Sequence, residues 1–224
     1  MDRTKVRRLV RDWGVLVAAL VLCYAFVIRP WHIRWGATDE EVEGEMPGDH
    51  LLPEAGMVTT RAITIAASAG DIWPWLVQMG QGRGGLYSYD WLENIAGCDI
   101  HSADSIISPL QSLRIGDTIR LGPEGYPYNL VSAIDTGRSL LLVGGFDIRS
   151  GSALRNADGA AFATTWLFHL HPLDERHTRL IVRFRADWED VLTTTFGIRG
   201  GLEPAHFVME RKMLLGICER VTSQ

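Results

Sequence analysis

The sequence predicts an α+β protein, in which a curved antiparallel sheet of six to seven strands packs on a long C-terminal helix behind one N-terminal transmembrane helix. Three observations predict it. Trp13 to Ile28 is apolar throughout and carries no charge. Several short segments after Thr59 alternate apolar and polar residues with a period of two, the signature of half-buried strands. Glu203 to Val221 instead repeats its apolar residues at helical spacing.

The chain divides into a basic tail (1–12), an anchor (13–31), a linker (32–57) and a ligand-binding domain (58–224). In the anchor, Trp13 and Trp31 lie 18 residues apart, about 27 Å at helical rise. That approaches the ~30 Å hydrocarbon thickness, with tryptophans where interfacial belts place them. Five basic residues precede the run, whereas Asp39, Glu40, Glu41, Glu43 and Glu45 follow Arg29 and Arg34. Positive-inside counting therefore puts the N-terminus in the cytoplasm and the globular part across a membrane that the chain spans once. Phe26-Val27-Ile28-Arg29-Pro30 offers no small-x-small cleavage site, and Leu22 before Cys23 does not suit lipidation, so the anchor is expected to remain attached. Arg34 to Met57, acidic and containing Gly and Pro, reads as a linker along the outside of the domain.

The domain opens at Thr59 to Asn94. Ile63 and Ile65 alternate with Arg61, Thr64 and Ala66 in a strand. A helix capped by Ser68 or Asp71 follows, and Pro74 suits a first turn begun by Asp71. This helix carries Trp73, Trp75, Leu76 and Met79 and ends in a glycine bend, Gly80 to Gly85. A second, aromatic helix runs from Tyr87 through Tyr89 and Trp91. Strands are then expected at Ile115–Leu121, Tyr128–Ile134 and Ser139–Gly144, with a seventh near Phe146 to Arg149. Phe162, Thr164, Trp166, Phe168 and Leu170 share one face of a long strand. In the next, Leu180, Val182 and Phe184 face opposite Arg179, Arg183 and Arg185, which predicts a sheet with one solvated face. Asp174 to His177 connects these two strands.

Composition narrows the function. A length of 224 residues, 46% of them apolar, supports one good-sized core. The first 35 residues hold seven Lys/Arg against Asp2 and Asp12. The remainder holds fifteen against twenty-five acidic residues. Such an acidic body excludes nucleic acid as the expected partner. Cys23, Cys98 and Cys218 show no metal spacing and no disulfide framework.

Trp31-His32-Ile33-Arg34-Trp35-Gly36-Ala37-Thr38, Trp73-Pro74-Trp75-Leu76-Val77-Gln78-Met79-Gly80, Gly84-Gly85-Leu86-Tyr87-Ser88-Tyr89-Asp90-Trp91-Leu92-Glu93 and His206-Phe207-Val208-Met209-Glu210-Arg211, in this order of elements, carry a resemblance. From about Trp31 onward the chain resembles the SRPBCC superfamily, which includes START lipid-transfer domains, plant allergen-type ligand binders and polyketide cyclases. More narrowly it resembles bacterial membrane-anchored members of that superfamily. The resemblance implies a helix-grip (START-like) fold with a cavity between sheet and C-terminal helix. It implies little about activity, because one fold hosts many functions.

The chemistry-bearing residues point the same way. Gly80 to Gly85 satisfies G-x-G-x-x-G, but a helix precedes it where a nucleotide loop needs a strand, so it reads as a turn. Asp90 and Glu93, and His101 with Asp104, read as surface or local structural groups. His169 and His171 share the strand face opposite Trp166, so they face solvent if Trp166 faces the cavity. No catalytic residue, metal ligand or cofactor motif is assigned. Trp75, Tyr87, Tyr89, Trp91, Trp166 and Phe168 are expected to wall an apolar ligand cavity. His206 and Glu210 lie four apart inside the apolar stripe of the last helix. They either satisfy each other and an Arg or Tyr partner, or recognise the ligand. The expectation is a membrane-anchored binder of a small hydrophobic molecule, lipid or polyketide-like. A cyclase or dehydratase using the same cavity, and a non-binding interaction scaffold, are the competing readings.

Overall fold

The structure, a computed structural model, describes residues 3–146, 162–188 and 192–223. Its N-terminal helix is one unbroken rod: α1 (Arg3–Cys23), a π-helical segment (Tyr24–Ile28) and α2 (Arg29–His32) follow with helical dihedrals at each junction. The π segment is followed, after Arg29, by Pro30. Proline has no N–H and its ring crowds the carbonyl four residues back, and a widened turn accommodates both defects. Residues Arg11–His32 form the one helix, among the described residues, long and apolar enough to cross a membrane, and its apolar window is not buried against the protein.

Six strands follow, β1 (Met57–Ile65), β2 (Thr118–Arg120), β3 (Tyr128–Asp135), β4 (Ser139–Phe146), β5 (Phe162–Pro172) and β6 (Thr178–Trp188). They form one antiparallel sheet in the order β1-β6-β5-β4-β3-β2. Between Asp39 and the last helix lie α3 (Asp39–Glu43), α4 (Ala69–Val77), α5 (Asp90–Ile95) and α6 (Leu192–Gly197). A second π segment (Ile198–Leu202) leads without a break into α7 (Glu203–Thr222), and here too a proline, Pro204, follows after one residue, Glu203. The seventh strand expected near Phe146 to Arg149 falls mostly outside the described residues. The strand expected at Ile115–Leu121 is shorter because Gly116 turns the chain at φ +89°.

The inner face packs Leu140, Leu142, Phe168, Leu170, Leu180 and Val182 against α4 and against Met213, Leu214, Ile217 and Val221 of α7. The helix is held close at Gly216, where a Cβ would collide with the carbonyl of Tyr87. Backbone cannot retreat as a side chain can. Gly216→Ala is therefore expected to cost about 1–3 kcal/mol by overpacking, read as a lowered midpoint in denaturant.

The outer face corrects an expectation. Arg179, Arg183 and Arg185 do face away from Leu180 and Val182, but they do not face solvent: Arg183 is 3% exposed. The linker lies across them. Arg179 pairs with Glu41 at 2.7 Å. Arg183 donates to the carbonyls of Glu41, Val42 and Gly44 and to Asp49 at 2.5 Å. Arg185 donates to the carbonyls of Leu52 and Pro53. Acidic residues of the linker and arginines of β6 thus clamp one another. The segment before it also covers the sheet's edge, since Thr60 and Ala62 donate their N–H groups to Ile33 and Trp35.

Three local expectations change. Arg61 lies on the inner face with Ile63 and Ile65, as residues two apart in a strand must. Ser68, not Asp71, caps α4: Ser68 Oγ accepts from Asp71 N–H while the Asp71 carboxylate accepts from Ser68, so Pro74 sits inside the helix. Tyr87 is not helical. It adopts φ +57° after the glycine turn, where its hydroxyl donates to the Trp75 carbonyl and its N–H to Ser102 Oγ. The helix behind it, α5, begins only at Asp90.

Candidate functional site

The inner face changes character along its length. At the Ile65 end, Phe168, Leu170, Leu180 and Val182 are all at 0% exposure. One register step from Phe168 toward Met57 the same face keeps a little access, with Trp166 at 8%, Thr164 at 7% and Asn129 at 5%. Asn129, Gly144 and Thr164 lie side by side in β3, β4 and β5. Gly144 makes room for its neighbours, since a Cβ there would collide with Asn129 Oδ1 and lie 2.8 Å from Thr164 Oγ1. Thr59 Oγ1, across from Phe184, is buried with no hydrogen-bond partner among the described residues. Polar side chains thus converge at this end of the inner face.

The last helix adds its own polar groups at this level. Glu210, 2% exposed, accepts from Arg61 Nη1 at 2.5 Å and from Trp166 Nε1 at 2.8 Å. Arg61, fully buried, also donates from Nε to the His32 carbonyl and stands over the Phe207 ring, while its Nη2 has no hydrogen-bond partner among the described residues. His206 Nδ1 is 3.1 Å from Arg61 Nη1, and His206 Nε2 is 3.7 Å from Glu210. The His206 ring packs 4.3 Å from Phe184 and 6.0 Å from Trp166, centre to centre. Burial pulls the His206 pKa down to about 4, and Arg61 adds to this against the pull of Glu210. The buried charges are therefore Arg61⁺ and Glu210⁻, with a neutral imidazole beside them.

That imidazole has a consequence for acid stability. An unfolded histidine takes its proton near pH 6.5, but folded His206 does so only near 4. The unfolded chain binds the proton first, so the stability present above pH 6.5 is lost as pH falls toward 4. Glu93 works the other way. Burial, reinforced by Asp90, raises its pKa to about 7, so the folded chain binds that proton first and gains stability as pH falls from 7 toward the ordinary carboxyl value. The two offset each other. Glu93→Gln removes the counterweight and is expected to steepen the loss of melting temperature between pH 7 and pH 5.

Of the sequence-predicted ligand residues, Trp166, His206 and Glu210 come together at this site, with the Phe168 ring tilted against Trp166 at 4.9 Å. Trp75 and Tyr87 meet each other edge to face at 5.6 Å in the fully buried core around α4. Tyr89, just before α5, and Trp91 in its first turn lie 6.4 Å apart, and Trp91 is 64% exposed. His169 and His171 lie on the outer face, in an open groove of about 1080 Å³ between the linker and the β4–β6 strands. Among the described residues no group of three or more His, Cys, Asp or Glu is placed to hold a metal ion. Gly80 to Gly85 closes on itself through paired backbone bonds as a turn.

Arg61, Phe184, Asn129 and Thr164 were not singled out from the sequence. Arg61 was within reach, because counting by twos from Ile65 puts it on the inner face and a buried guanidinium demands an acid. Asn129 and Thr164 carry no such signal.

A second polar cluster joins the two ends of the chain. Glu203, fully buried, receives Arg29 at 3.0 Å through both of its oxygens and lies 3.6 Å from His32 Nε2. Tyr24 donates its hydroxyl to the Arg199 carbonyl at 2.6 Å. Phe207 packs against Trp31, His32 and Trp35.

No family model and no curated protein matches the sequence. Solved structures align at low identity. A hypothetical protein from Helicobacter pylori matches at 11% identity and TM-score 0.46, over 78% of this chain and 94% of its own. A protein from Arthrobacter aurescens matches at 15% and 0.42, over 75% and 87%. A point mutant of norcoclaurine synthase from Thalictrum flavum, solved with a transition-state analogue, matches at 14% and 0.41, over 75% and 94%.

Proposed function

We propose that this chain is a single-pass, membrane-anchored binding protein of helix-grip, SRPBCC-like architecture that holds a small hydrophobic molecule, lipid or polyketide-like, between its sheet and α7. The supporting observation is the change along the inner face, from a dry apolar half to an end where Trp166, Phe184 and His206 stand among the polar side chains of Thr59, Asn129 and Thr164, with Thr59 Oγ1 unpaired among the described residues. Apolar area supplies affinity at about 25 cal/mol per Å² buried, and a few placed polar groups orient the ligand. Neutral His206 accepts from Arg61 at Nδ1, which leaves its Nε2–H to donate to a carbonyl or hydroxyl of the ligand.

The enclosure reading is favoured over a cyclase or dehydratase because Glu210 is occupied. Both of its oxygens already accept charged or indole N–H donors, which leaves the His206–Glu210 pair without a free general base. Positive-inside counting places the domain on the outer side of the membrane.

The test is photo-crosslinking of the full-length protein in lipid nanodiscs with a diazirine-bearing fatty acyl lipid, followed by peptide mapping. The expected result is labelling of inner-face residues at Trp166, Phe184 or His206, suppressed by Gly144→Val, whose side chain collides with Asn129 and Thr164 and pushes them into the site. Labelling confined to residues 13–28 would refute the proposal.

A further inference from the structure

Phe196 of α6 and Leu202 of the π segment after it are exposed apolar residues. Phe196 is 75% exposed and Leu202 43%. Ile198, between them in sequence, is 6% exposed and packs with Met57, Phe162 and Ala186 at the open end of the sheet. The segment therefore turns one side to the mouth of the inner face and another outward. Its position relative to the anchor is fixed by the Arg29–Glu203 pair just after it and by a bond within it. Tyr24 lies inside the apolar run, seven residues before Trp31, or about 10 Å along the helix axis. Its hydroxyl donates to the carbonyl of Arg199.

We infer that Leu192–Leu202 sits in the headgroup and upper acyl region of the bilayer beside the anchor helix, so that the open end of the binding site faces the membrane and its ligand is a lipid drawn from there. The inference rests on reading residues 13–31 as a membrane anchor. With Trp31 at the interface, a backbone carbonyl within reach of Tyr24 lies at the 5–10 Å depth that interfacial helices occupy. The segment can tolerate that depth, because its backbone is helical throughout and bonds to itself. Exposed Arg199 is long enough to carry its charge up to the phosphates. The same segment carries the inner end of the site: Ile198 packs with Phe184 in one cluster, and the Phe184 ring lies 4.3 Å from His206. A lipid leaving the bilayer past Phe196 and Leu202 would meet the polar end of the inner face first.

The experiment uses the full chain in phosphatidylcholine–phosphatidylglycerol vesicles containing lipids with a nitroxide high on the acyl chain. Single-cysteine proteins, with the other cysteines replaced by serine, carry an environment-sensitive fluorophore at the native Cys23, at Phe196→Cys, at Leu202→Cys or at Leu173→Cys. Leu173 is exposed just beyond the far end of β5, about 30 Å away at strand rise, and reports the aqueous side. The expected result is quenching at positions 23, 196 and 202 and none at 173. Quenching at 23 with none at 196 and 202 would leave the anchor intact and overturn the membrane-facing mouth. No quenching at 23 would overturn the anchor reading and this inference with it.

Discussion

Arg61→Ala is expected to destabilise the protein by about 3–5 kcal/mol, the usual cost of stranding one partner of a buried ion pair. Arg61 is completely buried and is the one cation hydrogen-bonded to Glu210 among the described residues. Without it, a carboxylate at 2% exposure keeps only the Trp166 indole N–H and the distant edge of a neutral imidazole. For a chain of this size the melting midpoint should fall by about 6 °C or more. The pair itself need not be a net source of stability. Two desolvated charges roughly cancel against their attraction, so Arg61→Met combined with Glu210→Met is expected to recover most of the loss. Thermal or denaturant melts of the two single variants and the double variant check this. Equal losses in all three would mean that Arg61 acts through packing on Phe207 rather than through charge.

Arg29→Ala should have a comparable effect by the same logic, about 3 kcal/mol, because Glu203 is at 0% exposure and Arg29 is the cation that meets it. Glu203→Leu together with Arg29→Leu should restore much of the loss, measured in the same way. The consequence reaches beyond one pair. The cation sits in the rod that carries the apolar run, and the anion opens α7. A protein cut before Trp35 would lose that compensation. It would also lose the carbonyl of Ile33, which accepts from β1 and covers the sheet's edge. The C-terminal end of the apolar helix is thus part of the fold, and experiments on ligand binding belong on the full chain.

Much of the architecture could be read from the pattern of residues. The alternation in Tyr128–Ile134, Ser139–Gly144, Phe162–Leu170 and Leu180–Phe184 placed four strands, and the apolar spacing of Glu203 to Val221 placed the last helix. These patterns are dictated by side-chain geometry within each element. The elements that misled depend on long-range partners. Nothing local says that Arg179, Arg183 and Arg185 will be buried, since the acidic linker that covers them is more than 120 residues away in the chain. Tyr87 looked helical beside Tyr89 and Trp91, but its positive φ follows from hydrogen bonds to Trp75 and Ser102. At the candidate site the pair His206 and Glu210 was visible from its polar residues in an apolar stripe. Its partner Arg61 lies 149 residues from Glu210 and was placed on the wrong face. Asn129 and Thr164 matter only because Gly144 stands between them, and that juxtaposition exists only once β3, β4 and β5 are in register.

Native mass spectrometry of the full-length protein, purified from its own cells in detergent and released in the gas phase, tests the proposed binding function most directly. The account predicts a retained hydrophobic adduct of lipid or polyketide-like mass, released on denaturation and absent from the Gly144→Val protein. A clean apo mass, unchanged after incubation with a total lipid extract, would contradict it and leave the inner face as packing alone.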